Sequence, residues 1–163
     1  MVAFPIIKVF LSDVDGTMTD AGMYYDQNGN ELKKFNTHDG KGFELLHNAG
    51  IKAGIVTGEE TLIVTRRARK LKVDYLFQGV NAEGKVKAAR EICSKEGVCL
   101  SEIAYIGDDI NCIDLLKSVG LAACPANSTK RVKELPGIIH LEKSGGNGAV
   151  REFIDLIIQN NEI

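Results

Sequence analysis

Short apolar runs alternate with longer amphipathic segments along almost the whole chain, and this alternation restricts the possible folds more than any other feature. Six apolar runs are typical of strands: 6–11, 51–56, 73–77, 103–107, 120–124 and 137–141. Nearly continuous apolar strands belong to sheets that are covered on both faces. Helical segments lie between them, at 40–50, 59–72, 83–97, 109–120 and 146–160. The pattern predicts an α/β fold with a Rossmann-like, doubly wound and mainly parallel sheet.

Residues 18–37 interrupt this alternation. They carry Asn28-Gly29 between two strand-like pieces, and Asn-Gly is a strong hairpin signal because its turn needs positive φ angles. A β-hairpin is therefore predicted directly after the first strand, as an insert in a single domain that spans residues 1–163. We expect the hairpin to associate with other copies of the chain, because it carries several apolar and aromatic residues: Met18, Met23, Tyr24, Tyr25, Leu32 and Phe35.

The composition argues against several classes of partner. The formal net charge is −2, which gives no reason to expect nucleic acid or an anionic membrane. No apolar run approaches the roughly 20 residues that span a bilayer, and residues 1–10 do not resemble a signal peptide, so a cytoplasmic protein is expected. The cysteines are widely spaced and form no zinc motif, which favours small thiols that are buried or half-buried: Cys93, Cys99, Cys112 and Cys124.

Acidic and hydroxyl side chains follow three of the predicted strands, at the point where each strand ends. They are Asp13 and Asp15 after the first strand, Thr57 with Gly58 after the strand at 51–56, and Asp108 with Asp109 after the strand at 103–107. Ligands of open α/β sheets bind at the carboxyl ends of the strands, so in a parallel sheet these groups converge. Several carboxylates without imidazole or thiolate suit a hard cation such as Mg²⁺.

The two carboxylates of the stretch SDVDGT fit phosphoryl transfer beside such a cation. Asp13 is a candidate nucleophile for an aspartyl-phosphate intermediate, and Asp15 is a candidate for the group that moves the protons. Gly16 allows a sharp turn that opens backbone N–H groups toward a phosphate. The pattern D-x-D-G alone is common in turns and calcium loops. An EF-hand loop that starts at Asp13 fails, however, because its twelfth position is Tyr24.

Four short motifs follow one another in the order found in the haloacid dehalogenase superfamily of phosphohydrolases, which this sequence resembles. DVDGT resembles the first motif, VTG the second, a lysine after the third strand the third, and IGDD the fourth. The resemblance implies that Asp13 is the nucleophile and Asp15 the acid and base. It also implies that Thr57 binds the phosphate and that Lys85 neutralises it, with Lys87 as a rival for this lysine.

The same resemblance implies a Mg²⁺ ion held by the carboxylates of Asp13 and Asp108 and by the backbone carbonyl of Asp15. Asp109 would lie just outside these ligands or bind the ion through a water. The cation and the lysine would offset the repulsion between an anionic nucleophile and a phosphate dianion.

The chain has no cap domain between the first two motifs, and in this it resembles the capless subfamily. This resemblance rests on the hairpin and on two further stretches, KKFNTHDGKG (33–42) and GGNGAVREF (145–153). It covers roughly residues 6–158. The subfamily includes 3-deoxy-manno-octulosonate 8-phosphate phosphatases, nonulosonate 9-phosphate phosphatases and a domain appended to some acylneuraminate cytidylyltransferases. It implies a homotetramer whose hairpins pack together centrally and in which a neighbouring subunit covers each active site.

The residues after VTG bear on the choice of substrate. Octulosonate phosphatases usually carry an arginine after this motif, whereas Glu59 follows Gly58 here. A glutamate with a downstream lysine resembles the nine-carbon sugar phosphatases, so Glu59 and Lys70 are predicted as a specificity pair, with Arg67 as the runner-up. On spacing alone, the run RRARK fits a solvated helix face equally well. Further substrate contacts are expected from Gly58 and from the residues after the hairpin: Thr37, His38 and Asp39.

The combined prediction is a Mg²⁺-dependent phosphatase of a nine-carbon 2-keto-3-deoxy sugar acid 9-phosphate. The expected substrate is the 9-phosphate of 2-keto-3-deoxy-nonulosonate (KDN) or of N-acetylneuraminate, hydrolysed through an aspartyl-phosphate. One alternative is a 3-deoxy-manno-octulosonate (KDO) 8-phosphate phosphatase. The other is a non-catalytic oligomerisation or regulatory partner of an acylneuraminate cytidylyltransferase.

Overall fold

The computed structural model describes residues 5–162. In it, six strands form one sheet, and two further strands form a separate hairpin. Residues 1–4 and 163 belong to the predicted domain 1–163 and lie outside the described part. Within it, the strands are β1 (Val9–Ser12), β2 (Tyr24–Tyr25), β3 (Glu31–Leu32), β4 (Lys52–Val56), β5 (Tyr75–Phe77), β6 (Ile103–Ile106), β7 (Leu121–Cys124) and β8 (Ile139–His140). The sheet is parallel throughout, in the order β5-β4-β1-β6-β7-β8. The predicted α/β fold is confirmed.

Strand β1 lies at the centre of the sheet because it is apolar enough to be buried on both faces. Val9 lies opposite Lys52 of β4 on one side and opposite Ile103 of β6 on the other, and every residue of β1 is buried. The winding of the chain reverses between β1 and β6, which is the point where doubly wound folds bind ligands. The carboxyl ends of β1, β4 and β6 therefore meet at one crevice.

Helices cover both faces of the sheet. They are α1 (Thr37–Asn48), α2 (Leu62–Leu71), α3 (Ala82–Glu96), α4 (Ile113–Ser118), α5 (Lys130–Lys133) and α6 (Ala149–Asn161). Phe43 of α1 and Phe153 of α6 pack on one face, around Phe10 of β1. Ile92 of α3 and Leu115 of α4 pack on the other. Among residues 5–162, no helix has the length and apolar character needed to span a bilayer.

Capping side chains set where the helices begin. Asn36 accepts a hydrogen bond from His38 N before α1, and Asn81 accepts one from Gly84 N before α3, at 2.8 Å in both cases. Such caps satisfy backbone N–H groups that have no partner within the helix. Gly97 ends α3 in the left-handed conformation, with a φ of 67°.

Two helical details differ from the sequence-based expectation. The segment predicted as a helix at 109–120 begins as a 3₁₀ turn over Ile110–Cys112 and becomes α-helical only at Ile113. The segment predicted at 146–160 begins at Ala149. Gly146 and Gly148 delay its start, because they adopt φ angles of 68° and 101°, which lie outside the helical region.

The hairpin is shorter than the predicted span of 18–37. Strands β2 and β3 pair antiparallel around the predicted Asn28-Gly29 turn, with two residues on each side. Met18 is not part of the exposed surface, because it is 1% exposed and packs in the core. Phe35 is partly buried beneath the Arg67 guanidinium, whose Cζ lies 5.2 Å from the ring centroid. The exposed apolar residues are Met23, Tyr24, Tyr25 and Leu32.

Candidate active site

A pocket of about 320 Å³ opens where β1, β4 and β6 end. Its lining brings together the residues predicted at the three strand ends, with a few neighbours: Asp13, Asp15, Ala21, Thr57, Gly58, Glu59, Asp108, Asp109, Ile110 and Asn111. None of these residues carries a positive charge. Two lysines instead approach the acidic groups from outside the lining, Lys85 from α3 and Lys33 from the hairpin.

Asp13 is held in a single orientation by donors from the protein core. The residue is 4% exposed, and its Oδ1 accepts a hydrogen bond of 2.8 Å from Val14 N. Its Oδ2 lies 2.8 Å from Lys85 Nζ and accepts a hydrogen bond from the Cys112 thiol at 2.9 Å. Because Lys85 is fully buried, solvent screens this ion pair little. The carboxylate is therefore fixed on both oxygens.

Cys112 and Tyr105 complete the surroundings of the Lys85 ammonium. Sγ of Cys112 lies 3.5 Å and the hydroxyl of Tyr105 3.4 Å from Lys85 Nζ. Burial, followed by the charge of Asp13, raises the pKa of Cys112 to about 12, so the thiol is protonated and donates. Burial lowers the pKa of Lys85, but Asp13 and Cys112 raise it by more. The lysine is therefore charged.

Asp15 is more exposed than Asp13 and takes its partner from the hairpin. Its side chain is 34% exposed, and its Oδ1 lies 2.6 Å from Lys33 Nζ. The same ammonium lies 3.0 Å from Glu31 Oε1 and 3.1 Å from Glu59 Oε2. Burial raises the pKa of Asp15 above its ordinary value, although the hydrogen bond and the charge of Lys33 act in the opposite direction. A raised pKa suits a carboxyl group that donates and accepts protons near neutral pH.

Asp108 brings a second carboxylate beside Asp13. Ligand atoms of Asp13, Asp108 and Cys112 lie within 4.8 Å of one another. Burial, followed by the charge of Asp13, raises the pKa of Asp108 to about 7. In residues 5–162, no cationic side chain forms an ion pair with it. Because the Cys112 thiol is protonated, the donors suited to a metal are carboxylate oxygens, and these fit a hard divalent cation such as Mg²⁺.

Glycine lets the loop after β1 pass directly against Asp108. Gly16 has a φ of 81°, and a methyl group on it would come within 1.9 Å of Asp108 Oδ2. A methyl group on Gly145 would come within 2.1 Å of the Gly16 carbonyl. Thr17, in the same loop, donates to Asp108 Oδ1 at 3.2 Å. The loop is therefore packed between the end of β6 and the glycine-rich segment before α6.

The structure distinguishes the two lysines proposed for the third motif. Lys85 lies beside Asp13 in the first turn of α3. Lys87 has a side chain that is 72% exposed and pairs with Glu83 on the same helix at 2.7 Å. Only Lys85 is therefore close enough to act on a group bound at Asp13.

The predicted specificity pair, Glu59 and Lys70, is not brought together within the chain. Glu59 precedes α2, lines the pocket and faces Lys33. Lys70 lies in the last turn of α2, roughly 12 Å along the helix axis from its first residue, Leu62, at 1.5 Å per residue. There it lines a separate groove of about 560 Å³ with His47 and Asp74. The direction of α2, which runs away from the carboxyl edge of the sheet, explains the separation.

Four other predicted substrate contacts lie at or beside the start of α1, outside the pocket lining: Thr37, His38, Asp39 and Arg67. Asp39 is 1% exposed, and its Oδ1 accepts a hydrogen bond of 2.9 Å from Arg151 N in the first turn of α6. Burial raises the pKa of Asp39 to about 6. Arg67 donates to the Asn36 carbonyl at 3.0 Å. These two side chains stabilise the junction of α1, α2 and α6.

Sequence reasoning missed three side chains that contact Asp13, Asp15 or Lys85: Lys33, Tyr105 and Cys112. Cys112 was interpreted only as a structural thiol, although its position three residues after Asp109 places it one turn further along the same helical segment. Tyr105 alternates with Ile106 inside β6, and its burial was the only expectation. No local signal marks Lys33, because its partners come from three separate segments of the chain.

Comparison with known proteins shows which proteins the chain as a whole resembles. A family model described as haloacid dehalogenase-like hydrolase matches residues 81–152. The 3-deoxy-D-manno-octulosonate 8-phosphate phosphatase KdsC of Haemophilus influenzae is 33% identical over 153 residues, which cover 94% of this chain and 83% of that protein.

Solved structures agree in fold over nearly the whole chain. A HAD superfamily (subfamily III A) hydrolase from Legionella pneumophila matches with a TM-score of 0.90 and 36% identity, covering 96% of this chain and 84% of that one. The Moraxella catarrhalis 3-deoxy-D-manno-octulosonate 8-phosphate phosphatase, solved with magnesium, phosphate and KDO, matches with a TM-score of 0.89 and 35% identity. That match covers 96% of this chain and 88% of the other.

Proposed function

Because the chain belongs to the haloacid dehalogenase-like hydrolases, we propose that it is a Mg²⁺-dependent phosphatase that hydrolyses 3-deoxy-D-manno-octulosonate 8-phosphate. One observation carries the chemistry: a buried lysine holds Asp13 at 2.8 Å on the floor of an acidic pocket. The choice of substrate is supported by relatives with that activity that are similar over 94–96% of the chain. The eight-carbon ester is thus preferred to the nine-carbon ester that the residues after VTG suggested.

In the first half of the proposed reaction, an Asp13 oxygen attacks phosphorus while the bond from phosphorus to the sugar oxygen breaks. Asp15 gives its proton to that oxygen, so the sugar leaves as an alcohol. Lys85, held beside Asp13, neutralises charge on the phosphate oxygens. The Thr57 hydroxyl, directly after β4, lines the pocket and is the proposed phosphate ligand.

In the second half, water attacks the phosphorus of the aspartyl-phosphate and Asp15 takes a proton from that water. The Asp13 carboxylate and inorganic phosphate are then released. One side chain serves as acid and then as base, which the raised pKa of Asp15 allows. The fixed orientation of Asp13 reduces the motion that the nucleophile must lose before attack.

We propose that Asp13 and Asp108 hold Mg²⁺ with their carboxylates, together with the backbone carbonyl of Asp15. Asp109, which lines the same pocket, would bind the ion through a water or lie just outside its ligands. The bound ion supplies positive charge that lets a phosphate dianion approach the carboxylate nucleophile. The adjoining carboxylates of Asp13 and Asp108 provide its binding charge.

A nine-carbon sugar acid 9-phosphate is the second candidate substrate, and Glu59 is the observation that favours it. This glutamate follows Gly58, lines the pocket and has a half-exposed side chain, so it is available to accept hydrogen bonds from sugar hydroxyls. Lys70, its predicted partner, lies in another groove. The argument from the residues therefore rests on Glu59 alone.

A panel of three esters tests the proposal: KDO 8-phosphate, KDN 9-phosphate and N-acetylneuraminate 9-phosphate, each assayed for phosphate release with Mg²⁺. We expect the highest kcat/KM with the eight-carbon ester. A higher value with either nine-carbon ester would replace it by the second candidate. No turnover with any sugar phosphate, by protein that binds Mg²⁺, would favour the non-catalytic partner of a cytidylyltransferase.

We also propose that the chain forms a homotetramer in which a neighbouring subunit covers each site. The exposed hairpin residues Met23, Tyr25 and Leu32, each more than half exposed, support association through this surface. Ile110, on the pocket rim, is 54% exposed and offers a second apolar contact. Sedimentation equilibrium of the wild type and of Tyr25→Asp tests this: we expect a tetramer and smaller species, respectively. A monomeric wild type would contradict it.

A further inference from the structure

Lys33 lies in the site, and the proposed reaction gives it no role. It follows β3 directly, and its side chain is 2% exposed. Its ammonium reaches carboxylates from three segments: Asp15 after β1 at 2.6 Å, Glu31 of β3 at 3.0 Å and Glu59 after β4 at 3.1 Å. A buried lysine among three carboxylates links these segments to one another.

We propose that Lys33 is a positioning residue of the phosphatase reaction, which orients the Asp15 carboxylate for proton transfer and ties the hairpin to the active site. This inference rests on the proposed function only for the role of Asp15 as acid and base. It does not depend on which sugar acid the protein hydrolyses.

The contrast with Asp13 shows why Asp15 needs such a residue. Asp13 is oriented by Val14 N, Lys85 and Cys112. In the described residues, the side chain that pairs with Asp15 is Lys33. Without that ammonium, a one-third exposed carboxylate would rotate freely about its side-chain torsions. A proton donor must stay within about 2.6–3.2 Å of the oxygen it protonates.

The hairpin depends on the same contact. Its strands are two residues long, and an isolated two-stranded hairpin is only marginally stable in water. Lys34 reaches Asn147 at 2.8 Å, but this hydrogen bond is exposed. The ion pair of the buried Lys33 with Asp15 is therefore the stronger anchor between hairpin and sheet. A subunit that seats on the hairpin would act on Asp15 through this residue.

The leaving group reports on the orientation of Asp15. As the phosphorus–oxygen bond breaks and the bond to the Asp13 oxygen forms, the departing oxygen receives the Asp15 proton. An alkyl leaving group needs this proton, whereas a nitrophenolate leaves without it because it is a weak base. Loss of proton donation therefore steepens the dependence of kcat/KM on leaving-group basicity, and loss of general structure lowers all rates alike.

The experiment compares kcat/KM for a series of aryl and alkyl phosphates between the Mg²⁺-loaded wild type, Lys33→Met, Asp15→Asn and the double variant. For Lys33→Met we expect a loss of at least about tenfold with alkyl phosphates and less than about threefold with p-nitrophenyl phosphate. In the Asp15→Asn background the same substitution should leave the steepness unchanged, because the two residues act as one unit. Equal losses across the series, or additive effects, would overturn the proposal.

Two controls separate this effect from unfolding. Lys41→Met removes the same charge from an exposed lysine that pairs with Glu44 on α1, and it should leave the leaving-group dependence at the wild-type value. Lys33→Gln, a smaller and polar replacement, should reproduce the result of Lys33→Met if the latter lowers the melting temperature.

Hydrogen exchange tests the tether without any need for activity. In Lys33→Met, amides of residues 20–34 should exchange at least about tenfold faster than in the wild type, and in Lys41→Met they should not. Unchanged exchange in the hairpin would overturn the tether. An inactive wild type on every ester would refute the proposed function, whereas active protein with a normal leaving-group profile in Lys33→Met would refute only the role of Lys33.

Discussion

The two carboxylates of SDVDGT stand two residues apart and occupy different environments. Asp13 is 4% exposed and is held by groups from the core: Val14 N, Lys85 and the Cys112 thiol. Asp15 has a side chain that is 34% exposed and pairs with Lys33 from the hairpin. The partners of Asp13 therefore come from the protein core, whereas the partner of Asp15 comes from the hairpin.

The loop after β1 thus supplies two carboxylates of different mobility, a rigidly held Asp13 and a more exposed Asp15. A nucleophile gains from a fixed position, and the sheet provides it for Asp13. A group that must donate and then accept a proton needs access to water and a tunable pKa, and the pocket rim provides both for Asp15. We therefore expect the loss of Asp13, or of the Lys85 charge beside it, to have a larger effect than the loss of the Lys33 charge beside Asp15.

The largest effect is expected for Asp13→Asn, which replaces the rigidly held nucleophile. An amide is a poor nucleophile, so the rate of phosphate release should fall at least about a thousandfold. The side chain is nearly isosteric, and circular dichroism should show an intact fold. Release at more than about a tenth of the wild-type rate would remove Asp13 from the reaction.

Lys85→Met should lower kcat/KM by about a hundredfold or more, because the phosphate charge loses its buried neutralising partner. Lys87→Met is the matched control, since this substitution removes the same charge from an exposed position on the same helix. The control should keep wild-type activity. If the two variants behaved alike, the ion pair with Asp13 would have no catalytic importance.

The same contrast separates the residues that the sequence alone predicts from those that it does not. Asp13 and Asp108 were predicted because the carboxyl ends of parallel strands converge, whereas Lys85 was predicted from the resemblance to the haloacid dehalogenase superfamily, with Lys87 as a rival. The partner of Asp15 was not predicted, because Lys33 reaches the site only through the path of the hairpin. The local sequence pattern therefore predicts the residues at the strand ends, whereas the partner of Asp15 depends on the tertiary structure.

The pair of Glu59 and Lys70 shows the same limit in another way. Both residues were predicted as a specificity pair from the resemblance, yet the length and direction of α2 put Lys70 in a different groove. The thiol of Cys112, at the end of a 3₁₀ turn where a regular helix was expected, also contacts Asp13. Small changes in helix geometry decide which side chains meet.

Asp39 is a third carboxylate for this comparison, because it is as buried as Asp13 but forms no ion pair with any side chain in residues 5–162. Its pKa is raised from 3.8 to about 6 by burial. The folded state therefore binds this proton more tightly than the unfolded state, and this contribution to stability is lost as the pH rises from about 4 through about 6. Asp39→Asn removes that loss and can still accept the hydrogen bond from Arg151 N.

Urea unfolding of Asp39→Asn and the wild type at pH 4 and pH 7 measures this contribution. The difference in unfolding free energy should move in favour of the variant by about 2 kcal/mol between the two pH values. Glu44→Gln removes a charge from an exposed position on the same helix. Because the pKa of Glu44 is lowered by Lys41, its difference should change in the opposite direction. A pH-independent difference for Asp39→Asn would contradict the account.

The smallest effect is expected at Cys112. Cys112→Ala removes the thiol that donates to Asp13 Oδ2, so kcat should fall about three- to tenfold, in line with one lost hydrogen bond. Cys112→Ser keeps a donor at this position and should stay within about twofold of the wild type. Equal rates for both variants would show that the thiol only fills space.

The most direct test of separate roles for the two carboxylates is the mass of the protein after it reacts with a substrate. Asp15→Asn is mixed with p-nitrophenyl phosphate and Mg²⁺, quenched in acid and digested, and the peptides are analysed by mass spectrometry. The first step needs no proton for this leaving group, and the second lacks its base, so one phosphoryl group should accumulate on Asp13. Turnover without any phosphorylated peptide, or with the phosphoryl group on another residue, would contradict the account.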